Sequence, residues 1–288
     1  MSHSNARSAW KRGALCFSLF PIVLLILLLN ASVGYAREPA TAQEVTFASG
    51  KYQLHGFLWK PQGTGPFAAV IWNHGSEKEP DSAPSLAAFY TSHGYLFFAP
   101  HRRGQGHSPG PYIQDLVRDT PSFARDKRMV SLQEEDNADV VSAVDYLKSQ
   151  PFVDAARIAI SGCSYGGIQT LLAGEKPLGV VALIPFAPGA MSWDRSDALQ
   201  FRLKRAVARA TAPIFLIQAA NDFNLGPSHA LTREAEFRHT DFRSKIYSSY
   251  GSTPEEGHGK FCRFAMGVWG NDVLAFLEAH MKPLSSVQ

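Results

Sequence analysis

The chain has 288 residues, 45% of them hydrophobic and 18% charged, which is enough apolar material for a full core and excludes a disordered or fibrous polypeptide. Lysine and arginine number 28 against 25 aspartates and glutamates, and three of the basic residues lie in the first 36 positions, so the remainder balances at 25 against 25. A neutral body without a charge block or basic stripe argues against nucleic acid or an anionic membrane as an electrostatic partner.

The first 36 residues differ from the rest. Arg7, Lys11 and Arg12 precede an apolar run over residues 14–29, and Ala31-Ser32-Val33-Gly34-Tyr35-Ala36 follows it. This is the pattern of a secretory signal peptide, with cleavage expected after Ala36. An uncleaved anchor is the alternative, but the run is short for a spanning helix and Pro21 interrupts it, so cleavage is expected, with no stable membrane span after it. Residues 37–288 are then expected to form one domain, exported to the periplasm or the exterior.

Along that domain, residues 44–48 and 52–59 read as two strands joined at Ser49-Gly50-Lys51. Phe67-Ala68-Ala69-Val70-Ile71-Trp72 is a continuous apolar run, as a strand covered on both faces requires, and it ends in Asn73-His74-Gly75-Ser76. Residues 84–93 are helix-compatible and 95–100 form the next buried strand. Residues 101–129 read as a long irregular, lid-like segment. A long amphipathic helix is predicted over 131–148, with Glu134, Glu135 and Asp136 in its first turn. Strands at 157–161, 179–186, 213–218 and 244–249 then alternate with helices at 192–209, 228–238 and 261–280. Such alternation predicts an α/β fold: a mostly parallel sheet of about eight strands with helices on both faces.

The strand at 157–161 runs into Gly162-Cys163-Ser164-Tyr165-Gly166-Gly167 and then a helix-compatible stretch, Ile168-Gln169-Thr170-Leu171-Leu172-Ala173. Strand, Gly-x-Ser-x-Gly, helix is the setting of a nucleophile elbow. The positions two before and two after the nucleophile must approach neighbouring backbone closely, which glycine alone does cheaply. Gly162 and Gly166 flank Ser164 in this way; around Cys163 the same positions would be Ser161 and Tyr165. Ser164 is therefore the candidate nucleophile.

Functional residues of a parallel sheet gather at the carboxyl ends of its strands. Asn221-Asp222 follows the strand ending at Gln218, and a glycine-rich loop with Glu255-Glu256-Gly257-His258-Gly259 follows the strand ending at Ser249. Ser164, Asp222 and His258 stand in the order nucleophile, acid, base expected of an elbow-bearing hydrolase. Asp194 and Asp197 are rival acids, and His229, His239 and His280, in or beside helices, are weaker candidates for the base. Acyl transfer also needs oxyanion donors, expected from the backbone amides of Tyr165 and Ser76. His74 reads as a structural hydrogen-bonding residue. Arg102 and Arg103 could meet a substrate carboxylate but suit a structural role better.

With these residues in view, nearly all of the chain after the leader resembles the α/β-hydrolase superfamily, and within it the dienelactone-hydrolase-like and prolyl-oligopeptidase-like branches. The motifs that carry the resemblance are Asn73 to Ser76, Arg102-Arg103-Gly104-Gln105-Gly106-His107-Ser108, Gly162 to Gly167, Asp222 and His258. The chain departs from both branches. Dienelactone hydrolases proper use cysteine where Ser164 stands, and prolyl-oligopeptidase-like enzymes carry a β-propeller for which residues 37 onward leave no room. The Gly-Gly-Gly oxyanion loop of many lipases is also replaced, by Ser76-Glu77-Lys78.

The expected activity is that of a serine hydrolase acting on carboxylic esters of small or medium acyl groups, without metal or cofactor. A peptidase or amidase is the alternative, and a non-catalytic binding protein on the same fold a third reading. None of the three cysteines has metal-ligand spacing. Cys16 leaves with the leader, and Cys163 and Cys262 are either two buried thiols or a disulfide tying the nucleophile turn to the histidine loop.

Overall fold

A computed structural model describes residues 41–238 and 240–281. The proposed leader, and His239 among the rival histidines, lie outside the described residues.

Eight strands form one sheet: β1 (Gln43–Ser49), β2 (Tyr52–Trp59), β3 (Phe67–Asn73), β4 (Leu96–Pro100), β5 (Val153–Cys163), β6 (Ala182–Phe186), β7 (Ile214–Ala219) and β8 (Phe242–Tyr247). Their spatial order is β1-β2-β4-β3-β5-β6-β7-β8. β2 is antiparallel to β1 and β4, and every pairing from β4 to β8 is parallel. The β1–β2 hairpin closes at Gly50-Lys51, with Ser49 opposite Tyr52, as the sequence predicts.

Alternation along the central strands sends side chains into two cores, because successive residues of a strand face opposite ways. Ala69 and Ile71 of β3, with Ile160 and Leu216, pack beneath α3 (Ser122–Lys148), α4 (Tyr165–Gly174), α5 (Asp197–Ala208) and α6 (Gly226–Arg238). Val70 and Trp72, with Ile184 and Ile217, pack against α1 (Pro84–Ser92) and α8 (Met266–His280) on the other face. Burying each of these aliphatic side chains contributes roughly 1.5–3 kcal/mol, so neither face can do without its helices. This is the mostly parallel, two-faced α/β architecture expected.

Several boundaries differ from the sequence reading. The lid-like segment is largely helical: α2 spans Ile113–Arg118, and α3 begins at Ser122, nine residues before its predicted start. The first turns of α3 pack little against the core, and Phe123 there is 88% exposed, so no apolar stripe marks them in the sequence. Glu134, Glu135 and Asp136 consequently sit inside the helix rather than in its first turn. β6 starts at Ala182 because Gly179 adopts a left-handed conformation that a strand cannot continue through. β8 lies two residues earlier than predicted. The terminal helix is divided at Ala265 into α7 (Phe261–Phe264) and α8.

Candidate active site

Strands β5, β7 and β8 end at the same edge of the sheet, and the turns after them carry Ser164, Asp222 and His258. Ser164 has φ 58° and ψ −115°, a conformation costly for a residue with a Cβ. Its amide donates to the Phe186 carbonyl (3.0 Å), which anchors the turn to β6. The flanking glycines are obligatory here. A Cβ on Gly162 would lie 2.5 Å from the Gly166 carbonyl oxygen, and one on Gly166 would lie 1.8 Å from that of Asn73.

The side chain of Asp222 is fully buried. Its Oδ1 accepts from the Phe223 amide (2.6 Å) and lies 2.8 Å from Nδ1 of His258, while Oδ2 accepts from Gln218 Nε2 (2.9 Å). With Oδ1 accepting at that distance, Asp222 orients the imidazole and favours the His258 tautomer with its proton on Nδ1. Nε2 of His258 is buried and has no hydrogen-bond partner. The His258 residue lines a cavity of about 420 Å³ together with Ser164, Trp72, His74, Gly75, Ser76 and Met191. Of the rival acids, Asp194 is engaged with Asn224 and Asp197 opens α5. His229 lies on α6 and His280 ends α8, so neither approaches this cavity.

The segment holding His258 is not the simple loop expected. Residues Glu256–Lys260 form a π-helical turn that continues into α7. Asn221, beside Asp222, fastens the loop leading into that turn: its Nδ2 donates to the carbonyls of Tyr250 (3.0 Å) and Thr253 (2.9 Å), and its Oδ1 accepts from the Tyr250 amide (2.9 Å). A disulfide joins Cys163, beside Ser164, to Cys262, four residues past His258, with their Cα atoms 6.2 Å apart. Thus the Ser164 turn and the His258 turn are covalently braced, the paired state of the two alternatives left open by the sequence.

The opposite wall is built around Arg102, which is 1% exposed. Its Nη2 donates to the carbonyls of His74 (2.9 Å) and Gly75 (2.6 Å), its Nε donates to Gln105 Oε1 (3.2 Å), and the guanidinium lies 4.5 Å over the Tyr165 ring. Gln105 in turn donates to the Glu77 carbonyl (2.7 Å), and Tyr112 donates to that of Ser76 (2.5 Å). The Gly75 carbonyl and the Ser76 N–H belong to one planar trans peptide, so clamping the carbonyl to Arg102 points the N–H the other way. The Tyr165 amide opens α4 and has no carbonyl a turn behind it to bond.

His74 also lines the cavity, but both of its nitrogens are occupied. With its proton on Nδ1 it donates to the Gly75 carbonyl (3.0 Å), and Nε2 accepts from the Arg102 amide (3.4 Å). Burial, and then the Arg102 charge, hold its pKa well below the ordinary histidine value. Arg103 makes a bidentate contact with the buried Asp139, which also accepts from Ser49 Oγ (2.6 Å). Both arginines therefore face protein partners rather than a substrate carboxylate. Behind the elbow, Tyr165 Oη donates to Asp136 (2.8 Å), whose pKa burial pushes up to about 6.

Gln105, Gln218, Asn221 and Asp136 escape the sequence reading. Their signal would have been polar residues standing inside apolar or turn runs, Gln218 at the end of the apolar Ile214–Ala219 being the plainest.

The sequence profile of the prolyl oligopeptidase family matches residues 82–178. Among solved structures, the chain is similar to a protein from Klebsiella pneumoniae described as a dienelactone hydrolase, with 16% identity, a TM-score of 0.60, and coverage of 85% of this chain and 99% of that one. It is also similar to an acylaminoacyl peptidase from Pyrococcus horikoshii, with 18% identity, a TM-score of 0.66, and coverage of 87% of this chain but only 44% of the peptidase. Acetyl xylan esterase 1 from Thermoanaerobacterium sp. matches with 18% identity, a TM-score of 0.57, and coverage of 86% of each chain. These likenesses establish the α/β-hydrolase fold, and within it the chain resembles the dienelactone hydrolase and prolyl oligopeptidase branches.

Proposed function

We propose that this protein is an exported serine hydrolase that cleaves carboxylic esters through an acyl-enzyme. The observation that carries the reading is His258: oriented by Asp222 at Nδ1, buried, and unpartnered at Nε2 on a cavity that Ser164 shares. In the proposed cycle Nε2 takes the Ser164 proton as Oγ attacks the acyl carbon, Asp222 stabilises the imidazolium, and Nε2 returns the proton to the leaving alkoxide. Water then repeats the sequence on the acyl-enzyme and releases the acid. The amides of Tyr165 and Ser76 receive the oxyanion, each worth about 3 kcal/mol of transition-state stabilisation. The Arg102 clamp sets the direction of the Ser76 amide before substrate arrives, so no reorganisation is needed during attack.

The size of the cavity, about 420 Å³, suits a small or medium acyl group. Glu77, Glu79 and Asp81 stand among its lining residues, and Arg263 there is paired with Asp81, so the mouth disfavours anionic substrates. Peptide or amide cleavage is the second reading, favoured by the prolyl oligopeptidase profile over residues 82–178. Rates on p-nitrophenyl esters and on aminoacyl amides distinguish the two. Labelling of Ser164 by a fluorophosphonate, lost in Ser164→Ala, tests the hydrolase reading itself; folded protein that takes no label would overturn it. Export is tested by the N-terminal sequence of the mature protein, expected to begin at Arg37.

A further inference from the structure

Away from the cavity, Glu44, His55 and His107 bring one carboxylate oxygen and two imidazole nitrogens within 4.8 Å of one another. Nδ1 of His55 lies 2.9 Å from Glu44 Oε1, and Nδ1 of His107 lies 2.6 Å from the same atom. We infer that this trio is a binding site for a divalent transition-metal ion, zinc being the reference case.

The arrangement is built by the fold rather than by chance meetings of long side chains. Glu44 is on β1 and His55 on β2, where the antiparallel register pairs Glu44 with Phe57 and His55 with Thr46, placing the two side chains on one face. His107 comes from the segment after β4. That segment is fastened to β2 at the same point: the His55 amide donates to Ser108 Oγ (2.9 Å), and the His55 carbonyl accepts from the His101 amide (2.9 Å). His107 is further fixed because its own amide donates to Nδ1 of His101 (3.2 Å). The preceding Gly106 has φ +55° and packs so closely on the His101 ring that an added Cβ would lie 2.1 Å from it. Three ligands on three separately anchored segments lose little freedom on binding.

The donor set selects the ion. Two imidazole nitrogens and one carboxylate oxygen suit zinc, copper or nickel, whereas calcium and magnesium prefer oxygen donors throughout. Metal bonds of about 2.0–2.2 Å set neighbouring ligand atoms a little over 3 Å apart, so the carboxylate must recede by about half an ångström and the two imidazole nitrogens, within 4.8 Å of each other, must settle at the same spacing to admit the ion. The carboxylate can do so, since the Glu44 side chain is 42% exposed. Solvent reaches the same side, leaving room for water to complete a tetrahedron. A bound ion would tie the β1–β2 hairpin to the segment carrying Arg102 and Gln105, and so would brace the wall opposite the candidate triad.

The test uses untagged protein, stripped with chelator and titrated calorimetrically with zinc chloride at neutral pH. One zinc per chain is expected, with affinity falling at least about tenfold in each of Glu44→Gln, His55→Gln and His107→Gln. Calcium and magnesium should give no saturable binding. Each variant should keep its fluorophosphonate labelling and its melting temperature in chelator, and the rise in melting temperature caused by zinc should vanish in His55→Gln/His107→Gln. Equal zinc affinity in wild type and that double variant, or no saturable zinc uptake by wild type, overturns the site. Tighter binding of calcium than of zinc overturns the assignment of nitrogen donors.

Discussion

Two histidines line one cavity, and the two walls they belong to treat the imidazole in opposite ways. On the clamp wall, His74 has both nitrogens engaged by backbone groups, and burial beside a fixed cation keeps it neutral. On the other wall, His258 has one nitrogen committed to a buried carboxylate and the other left without a partner. Residue type and burial do not separate them; the unused nitrogen does. A buried polar atom without a partner costs about 1–3 kcal/mol, and of the two imidazoles only that of His258, where the proposed cycle moves a proton, carries it. The walls also differ in how they are held, by a disulfide on one side and by a buried guanidinium on the other.

The largest expected effect breaks the His258 wall. Ser164→Ala or His258→Ala should lower ester turnover by at least about 10⁴-fold while leaving the circular dichroism spectrum unchanged, since residual rate then comes only from binding and oxyanion donors. Asp222→Asn should approach that loss, because the amide no longer enforces the tautomer. Next in size is the covalent brace. The disulfide closes a loop with a sequence separation of 99, so Cys163→Ala/Cys262→Ala should reduce stability in urea by about 4 to 5 kcal/mol. Native protein should take up no alkylating reagent at these positions until it is reduced.

On the clamp wall, Arg102→Met would strip donors from two carbonyls, and a loss of about 3 kcal/mol is expected in the same urea measurement. Turnover of the folded variant should also fall, because the Gly75 carbonyl then keeps only its longer contacts to His74 and Gln105 and the Gly75–Ser76 peptide is held less firmly. Substrate KM should change less than kcat, as the oxyanion forms only during reaction. A variant with lowered stability but unchanged kcat would separate the clamp from oxyanion positioning.

How much of this was legible from sequence follows from the same contrast. The strand-elbow-helix run and the order of Ser164, Asp222 and His258 are local or sequential signals, and the structure brings the three to one edge of the sheet. The sheet itself was legible because strands covered on both faces must be apolar throughout. The clamp was only half legible: Arg102 and Arg103 read as structural, but their partners, Gln105 three residues away and Asp139 on α3, are chosen by tertiary packing. The start of α3 was hidden because its first turns face solvent, and the π-helical turn around His258 was hidden because its glycines read as loop. The Glu44, His55 and His107 trio depends on hairpin register and on a segment fifty residues further on, and no spacing rule announces that combination.

The smallest expected effect is the sharpest test of the comparison, because it asks whether His74 titrates with activity at all. Its pKa is held down in the folded state, whereas the unfolded chain protonates it near 6.5, so the unfolded state binds the extra proton. Stability from this group is therefore present above about pH 6.5 and is lost as the pH falls below it. His74→Gln should make the fall in stability between pH 7 and pH 5 shallower, read from urea unfolding at each pH. The acid limb of kcat/KM should stay where it is in wild type, since a histidine that is neutral throughout that range cannot generate it. Movement of that limb in His74→Gln would mean that the base of this cavity lies on the clamp wall, and the roles given to the two walls would have to be exchanged.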